Sequence, residues 1–201
     1  IIECCMKVFI PVIILSLLYA SCTHHPKKDQ SMQEDVTRLM SAPVSFNTDS
    51  LELLCTGLHN HMNDSFAPIL KLVVYHDSTV CTSCVFQKLH KWDDFIEKAK
   101  AHKGNLELYF IFSPPSNEQH LLKVMVKNYK PKMPIYMDTA GVFRRTNPQL
   151  PSNPMLHTFL LDENNEVLVV GNPLDNEKID RMFWRTMKEK LGTGQKEKAN
   201  D

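Results

Sequence analysis

Two cysteines separated by two residues form the pattern with the clearest chemical potential in this sequence. They stand in the run Cys81-Thr82-Ser83-Cys84. Residues three positions apart on a helix lie side by side, close enough to close a small disulfide ring. The spacing alone leaves three interpretations open: a redox-active pair, a structural disulfide and half of a zinc site. No second C-x-x-C and no histidine pair follows at zinc spacing, which disfavours the zinc site.

The elements on either side of the cysteines favour redox chemistry. Residues 69–75 form a short, nearly continuous apolar run, which is typical of a strand buried on both faces. After the cysteines, apolar side chains recur at helical spacing, at Val85, Leu89, Trp92, Ile96 and Ala99. Cys81 is therefore expected at a helix N-terminus, where unpaired N–H groups and the helix dipole stabilise a thiolate. We expect Cys81 to be the more exposed thiol, with Cys84 buried behind it.

The rest of the chain alternates between strand and helix patterns. We predict a strand at 106–112, followed by a helix at 116–128 with Leu122, Met125 and Tyr129 on its apolar side. A short strand at 135–137 and irregular chain at 138–154 come next. A hairpin of strands 158–161 and 167–170 and a last helix at 176–191 complete the order. Alternation implies parallel strands, and the hairpin adds antiparallel ones. The predicted fold class is α/β: a three-layer α/β/α sandwich on a mixed sheet.

The residue pattern at the N-terminus predicts a secretion signal. Met6 and Lys7 precede an apolar run at 8–18, and Ala20-Ser21-Cys22 follows. A charged start, a short apolar segment and small residues before the cut are typical of a signal peptide. The cysteine after the small residues resembles a bacterial lipobox, so we predict a lipoprotein signal at 1–21, with translation starting at Met6 and a lipid on Cys22. The alternative is an ordinary signal peptide followed by a chance cysteine.

The mature chain divides into three parts. We predict a flexible tether at 22–42, one domain at 43–192 that begins with a strand or hairpin within 43–63, and a disordered tail at 193–201. Three cysteines then remain in the domain, and Cys55 is the odd one. Disulfides persist outside the cytoplasm, which suits the Cys81–Cys84 pair.

The charge balance excludes one class of partner. Lys and Arg together number 23, as do Asp and Glu, so the formal net charge is zero. A surface for nucleic acid needs an excess of basic residues, so we predict no nucleic-acid binding. We also predict no cofactor and no resident metal.

The chain resembles the thioredoxin-fold thiol-disulfide oxidoreductases of the TlpA/ResA type, in a lipoprotein version. The likeness covers residues 70–191 and is carried by Leu72-Val73-Val74-Tyr75, by Cys81-Thr82-Ser83-Cys84 and by Thr158-Phe159-Leu160-Leu161-Asp162 with the hairpin after it. It implies a thioredoxin-like fold. It also implies that Cys81 is the nucleophile that attacks a substrate disulfide and that Cys84 resolves the mixed disulfide.

Four further residues are candidates for the rim of this site. The family usually has a cis-proline where this chain has Leu156, for which we predict an ordinary trans bond from Met155, since a cis bond before a non-proline residue costs about 2.5–4 kcal/mol. His157 follows and could approach the two sulfurs, to activate a thiolate or to join a metal. The alternative is that His157 points to solvent or caps a loop. His76 and Asp77 are weaker candidates for the same rim.

These observations predict a membrane-tethered thiol-disulfide oxidoreductase of the cell envelope, facing the periplasm or the cell surface. Its partners would be exported proteins with disulfides or thiols, the membrane through a lipid anchor, and a membrane electron donor. A peroxiredoxin is disfavoured because Val74 and Ser78 stand where that family has its signature Pro and Thr. The alternative from another class is a non-catalytic thioredoxin-like lipoprotein that binds a protein or copper, although Sco-like copper carriers use C-x-x-x-C spacing.

Overall fold

The computed structural model describes residues 27–57, 70–102 and 105–197. The chain forms two compact units, residues 1–34 and 35–201. Of the first unit the structure describes residues 27–34, which form the first part of a helix; the second unit contains the sheet. The predicted signal peptide and Cys22 lie outside the described residues. None of the helices in the described ranges is both long and apolar enough to span a bilayer.

Six strands in the described ranges form one mixed sheet. They are β1 (Glu52–Cys55), β2 (Leu70–His76), β3 (Leu106–Phe112), β4 (Ile135–Met137), β5 (Thr158–Leu161) and β6 (Val167–Val170). Their order across the sheet is β1-β4-β3-β2-β5-β6. The central strands β2, β3 and β4 are parallel, and β1, β5 and β6 are antiparallel to their neighbours. The predicted parallel centre and antiparallel hairpin are both confirmed.

Helices cover both faces of this sheet. They are α1 (Lys27–Leu39), α2 (Thr82–Phe86), α3 (Asp93–Lys100), α4 (Gln119–Tyr129), α5 (Val142–Thr146) and α6 (Glu177–Glu197), with single 3₁₀ turns at Thr48–Ser50, Leu89–Trp92 and Pro154–Leu156. On one face, side chains of α2, α3, α4 and α6 pack against alternate residues of β2 and β3. On the other face the sheet packs against the end of α1 and against α5. The predicted three-layer α/β/α sandwich on a mixed sheet is confirmed.

The central strands are apolar on both sides because both sides are covered. Leu72 and Val74 of β2 lie in the first core, and Val73 and Tyr75 lie in the second. All four are at most 2% exposed. A strand in this position cannot show the alternation of a half-buried strand, which explains the continuous apolar run in the sequence.

The helix predicted after the cysteines is interrupted. The structure has α2, then the 3₁₀ turn Leu89–Trp92, then α3. Asp93 and Asp94 occupy the first turn of α3, where acidic side chains interact favourably with the positive end of the helix dipole. The apolar stripe still faces the core, since Leu89, Trp92 and Ile96 are buried.

Three segments predicted to lack regular structure contain helix. The tether contains α1, whose last residue Leu39 is completely buried in the second core. The stretch at 138–154 contains α5, and the tail is helical as far as Glu197. On α4 the prediction for Tyr129 was wrong: its side chain is 72% exposed, and Val126 is buried beside Leu122 instead.

Candidate redox-active site

The sheet brings Cys81 to the carboxyl end of β2. The strand ends at His76, a loop covers residues 77–80, and Cys81 is the N-cap of α2. A disulfide joins Cys81 to Cys84, whose Cα atoms are 5.3 Å apart. A short loop between a buried strand and a helix therefore holds both sulfurs at one edge of the sheet.

The two cysteines differ in the hydrogen bonds of their sulfurs, and both residues are exposed. The backbone N–H of Cys84 donates to Sγ of Cys81 over 3.3 Å, and Oγ of Ser83 lies 3.5 Å from the same sulfur. Donors aimed at a sulfur stabilise its thiolate. Cys84 is exposed like Cys81, so the prediction that Cys84 is buried was wrong. The reason is that α2 turns Thr82 and Phe86 to the core.

Asp77 holds the loop that leads into Cys81. Its Oδ1 accepts hydrogen bonds from the backbone N–H of Thr79, over 3.0 Å, and from the Thr79 hydroxyl. Its backbone carbonyl accepts from the N–H of Val80. The Asp77 residue itself is buried, whereas Thr79 is exposed. The side chain therefore fixes the turn immediately before the first cysteine.

His157 is buried beside this loop. Because β5 runs antiparallel to β2, the start of β5 lies against the end of β2, and the N–H of Tyr75 donates to the carbonyl of His157. The His157 side chain is 1% exposed, and its Nδ1 lies 4.0 Å from Oδ2 of Asp77. The alternative that His157 points to solvent is wrong, whereas its 2.8 Å contact from Nε2 to the carbonyl of Pro151 agrees with the alternative that it caps a loop. The structure brings together three predicted rim residues: His76, Asp77 and His157.

Leu156 precedes this histidine on a 3₁₀ turn. The turn Pro154–Leu156 is capped by Asn153, whose Oδ1 accepts from the N–H of Met155. The peptide bonds in the described ranges are all trans, including the one between Met155 and Leu156. The Leu156 side chain is buried.

Sequence reasoning missed Arg144. Its Nη1 donates to the carbonyl of Pro151 over 2.9 Å and lies 3.8 Å from Oδ2 of Asp77. Arg144 is placed by α5, whose first N–H groups, those of Val142 and Phe143, donate to the fully buried carboxylate of Asp138. No local pattern links Arg144 to Asp77, because tertiary packing alone brings them together.

Burial keeps the two histidines of this cluster uncharged. It lowers the pKa of His76 from 6.5 to about 4, with a smaller contribution from His157 and an opposing one from Asp77. Burial also lowers the pKa of His157, an effect that the hydrogen bond to Pro151 and the charge of Asp77 oppose. Burial raises the pKa of Tyr75 to about 12. At neutral pH both imidazole rings are therefore neutral.

Cys55 lies in another part of the sheet. It ends the edge strand β1, and β4 and β3 separate that strand from β2. With neighbouring strands about 4.8 Å apart, this is a separation of roughly 14 Å. The Cys55 thiol is free and donates to the carbonyl of Met133 over 3.5 Å, and burial raises its pKa. The described ranges contain no group of three or more His, Cys, Asp or Glu side chains placed to hold a metal.

Comparisons with known proteins give matches among solved structures. No protein-family model and no curated protein matches the chain. A protein assigned as thiol:disulfide interchange protein DsbE from Chlorobium tepidum is 15% identical, with 59% of this chain and 79% of that chain covered and a TM-score of 0.43. StoA from Bacillus subtilis is 15% identical, covering 66% and 96%, with a TM-score of 0.42. A domain assigned as a thiol-disulfide isomerase from Cytophaga hutchinsonii is 15% identical, covering 71% and 97%, with a TM-score of 0.43.

Proposed function

We propose that this chain is a thiol-disulfide oxidoreductase that acts through Cys81 and Cys84. The observation that carries the proposal is the exposed disulfide at the start of α2, with the Cys84 N–H donated to Sγ of Cys81. A disulfide that only stabilises a fold gains nothing from exposure, whereas a disulfide that exchanges with other proteins needs it. The N–H donor distinguishes Cys81 as the sulfur whose thiolate is stabilised.

The reaction follows from this asymmetry. The thiolate of Cys81 attacks one sulfur of a substrate disulfide, forms a mixed disulfide with it and releases the other substrate sulfur as a thiolate. The thiolate of Cys84 then attacks the Cys81 sulfur and releases the second substrate thiolate. Two electrons pass from the pair to the substrate, and the pair becomes a disulfide. A second dithiol or an electron donor must reduce the pair again; run backwards, the same steps oxidise a substrate.

We also propose where the protein works. The apolar run at 8–18 with Ala20-Ser21-Cys22 supports export and lipidation of Cys22. An anchored domain of this kind would face the periplasm or the cell surface and meet exported proteins with disulfides or thiols. Its electron donor would then be a membrane protein.

Trapping of mixed disulfides tests the enzymatic proposal. In a Cys55→Ser background, Cys84→Ser leaves Cys81 without its resolving partner, so proteins captured on Cys81 should accumulate in cells after free thiols are blocked. The matched control is Cys81→Ser in the same background, which should capture far fewer. Non-reducing electrophoresis and mass spectrometry of the captured proteins measure the difference. Equally low capture by both variants would contradict the proposal.

A further inference from the structure

A buried carboxylate and a buried imidazole face each other at the base of the loop that carries Cys81. Oδ2 of Asp77 and Nδ1 of His157 are 4.0 Å apart, and the two side chains are 10% and 1% exposed. Asp77 comes from the loop after β2, and His157 directly precedes β5. The catalytic steps proposed above use neither side chain.

The hydrogen bonds of His157 identify the ring nitrogen that carries the proton. Nε2 lies 2.8 Å from the carbonyl oxygen of Pro151, which can only accept, so Nε2–H is the donor. Arg144 donates to the same oxygen, so its 3.3 Å approach to Nε2 brings two donors side by side. In the neutral ring Nδ1 is then a bare lone pair. It is buried without a hydrogen-bond partner, and the nearest anionic group is the carboxylate of Asp77.

A proton on Nδ1 would turn two facing acceptors into an ion pair. The charged form can donate from Nδ1 to Oδ2 of Asp77, and such charge-assisted bonds are short and strong. Four titratable groups lie around the ring, and three of them act on its charge: Asp77 favours the charged ring, while Arg144 disfavours it and His76 would do so if it were charged. The fourth is Tyr75, whose ring centroid lies 5.5 Å from that of His157 and whose pKa burial raises to about 12, so it stays neutral over the acid range. Burial lowers the pKa of His157, so the ring is neutral at neutral pH and gains its proton on the acid side.

We infer that Asp77 and His157 are positioning residues for the Cys81–Cys84 disulfide, and that protonation of His157 moves the loop that leads into Cys81. The inference rests on the proposed function and names its regulation. Oδ1 of Asp77 holds the N–H of Thr79, and the Asp77 carbonyl holds the N–H of Val80. When Oδ2 closes the 4.0 Å gap to Nδ1, Thr79 and Val80 move with the carboxylate. This shifts the loop against α2 and makes the disulfide easier to open.

Reduction of the purified, oxidised chain by dithiothreitol tests the inference. The reagent's two thiols become a ring disulfide, and their two electrons and two protons pass to Cys81 and Cys84. The rate is measured from about pH 7.5 to about pH 4.5 for the wild type and for His157→Gln, since the ratio of the two rates cancels the titration of the reagent. We expect the ratio to rise about threefold to tenfold as His157 takes its proton.

Two further variants separate positioning from general structure. Asp77→Asn keeps an oxygen that can accept from the Thr79 N–H but loses the negative charge. The rise in its reduction rate on the acid side should therefore disappear. The control is His120→Gln, an exposed histidine on α4, which should keep the full step. In the wild type, the amide NMR signals of Thr79 and Val80 should shift with the same midpoint as the ring of His157.

Loss of the shared midpoint would overturn the inference. Amide signals that do not follow His157, or a rate ratio that stays flat in folded variants, each contradict it. If His157→Gln does not fold, the wild-type NMR titration and Asp77→Asn still decide. If the reduction rate rises on the acid side but Cys84→Ser captures no proteins, the proposed function is refuted and the inference about Asp77 and His157 stands. If Cys84→Ser captures proteins but the rate does not change with pH, the proposed function stands and the inference is refuted.

Discussion

Buried polar side chains at the ends of strands β2, β4 and β5 organise the site residue by residue. Asp77 follows β2 and fixes the turn before Cys81, while Asp138 follows β4 and caps α5. His157 lies at the start of β5 and ties that strand to the loop at Pro151. Each side chain satisfies backbone groups that loops would otherwise leave unpaired, which is how an irregular edge becomes rigid.

The pH dependence of stability provides a prediction at the scale of one residue. The folded pKa of His76, about 4, lies below its ordinary value of 6.5, so the stability contributed by its neutral ring is complete above about pH 6.5 and is lost as the pH falls towards 4. We expect His76→Asn to gain up to about 3 kcal/mol relative to the wild type over this range. Urea unfolding at a series of pH values measures the difference.

The control for this titration is His120→Gln, which alters an exposed histidine on α4. Its stability curve should run parallel to that of the wild type. A parallel curve for His76→Asn as well would mean that the ring of His76 is not held neutral by burial.

Lys71 binds the turn of the hairpin that β5 and β6 form. Its Nζ donates to the carbonyls of Asp162 and Glu163 and to Oδ1 of Asn165, and so holds the turn between β5 and β6. We expect Lys71→Met to lower the free energy of unfolding by about 1–3 kcal/mol, because buried acceptors lose their donor. Lys100→Met is the control, since Lys100 pairs with Glu97 on the surface and should change stability by less than about 0.5 kcal/mol. Equal effects would contradict this role of Lys71.

At the scale of elements, two glycines have the same backbone conformation but different surroundings. One follows β1 and the other precedes α5. Gly57 and Gly141 have φ values of +62° and +63°. A Cβ on Gly57 would lie 2.3 Å from the carbonyl oxygen of Lys132, whereas on Gly141 the nearest atom is a side-chain nitrogen of Arg145 at 3.7 Å. Both substitutions to Ala cost the strain of positive φ, about 1 kcal/mol. Only Gly57 adds a clash with the backbone.

We therefore expect Gly57→Ala to be clearly more destabilising than Gly141→Ala. Chemical denaturation of the two variants under identical conditions measures the difference. Because the backbone conformation is matched, the excess in Gly57→Ala isolates the close approach after β1. Equal stabilities would show that this approach relaxes without cost.

The elements whose apolar residues form a clear run or repeat could be predicted from the sequence. The bounds of β3, β4, β5 and β6 match the predicted ranges, because apolar runs flanked by turn residues specify short buried strands. The disulfide's place after β2 followed from the same pattern. The break between α2 and α3 had a signal in Asp93 and Asp94, which are typical of a first helical turn.

Other features depend on tertiary contacts that no local pattern reveals. The short helix α5 lies among prolines in the sequence and is stabilised by the carboxylate of Asp138. The approach of Arg144 and His157 to Asp77 depends on how three segments pack. The exposure of Cys84 follows from which residues of α2 turn inward, and five residues are too few to show a stripe.

At the scale of the whole molecule, the predicted lipid anchor makes a cellular prediction. Cys22→Ser removes the thiol that would carry the lipid, so the chain should move from the membrane fraction to the soluble fraction. Fractionation of cells and mass spectrometry of the N-terminal peptide measure the change. The control is Cys55→Ser, which should stay with the membrane. Membrane association that survives Cys22→Ser, with no lipid on that residue in the wild type, would contradict the lipoprotein prediction.

The reduction potential of the Cys81–Cys84 pair tests most directly whether this molecule exchanges disulfides. The full domain with Cys55→Ser is equilibrated in glutathione buffers of graded ratio, and the reduced fraction is counted by alkylation and mass spectrometry. We predict a potential between about −120 and −270 mV, the range of catalytic dithiols. A value below about −300 mV, where stable structural disulfides lie, would contradict a redox-active pair.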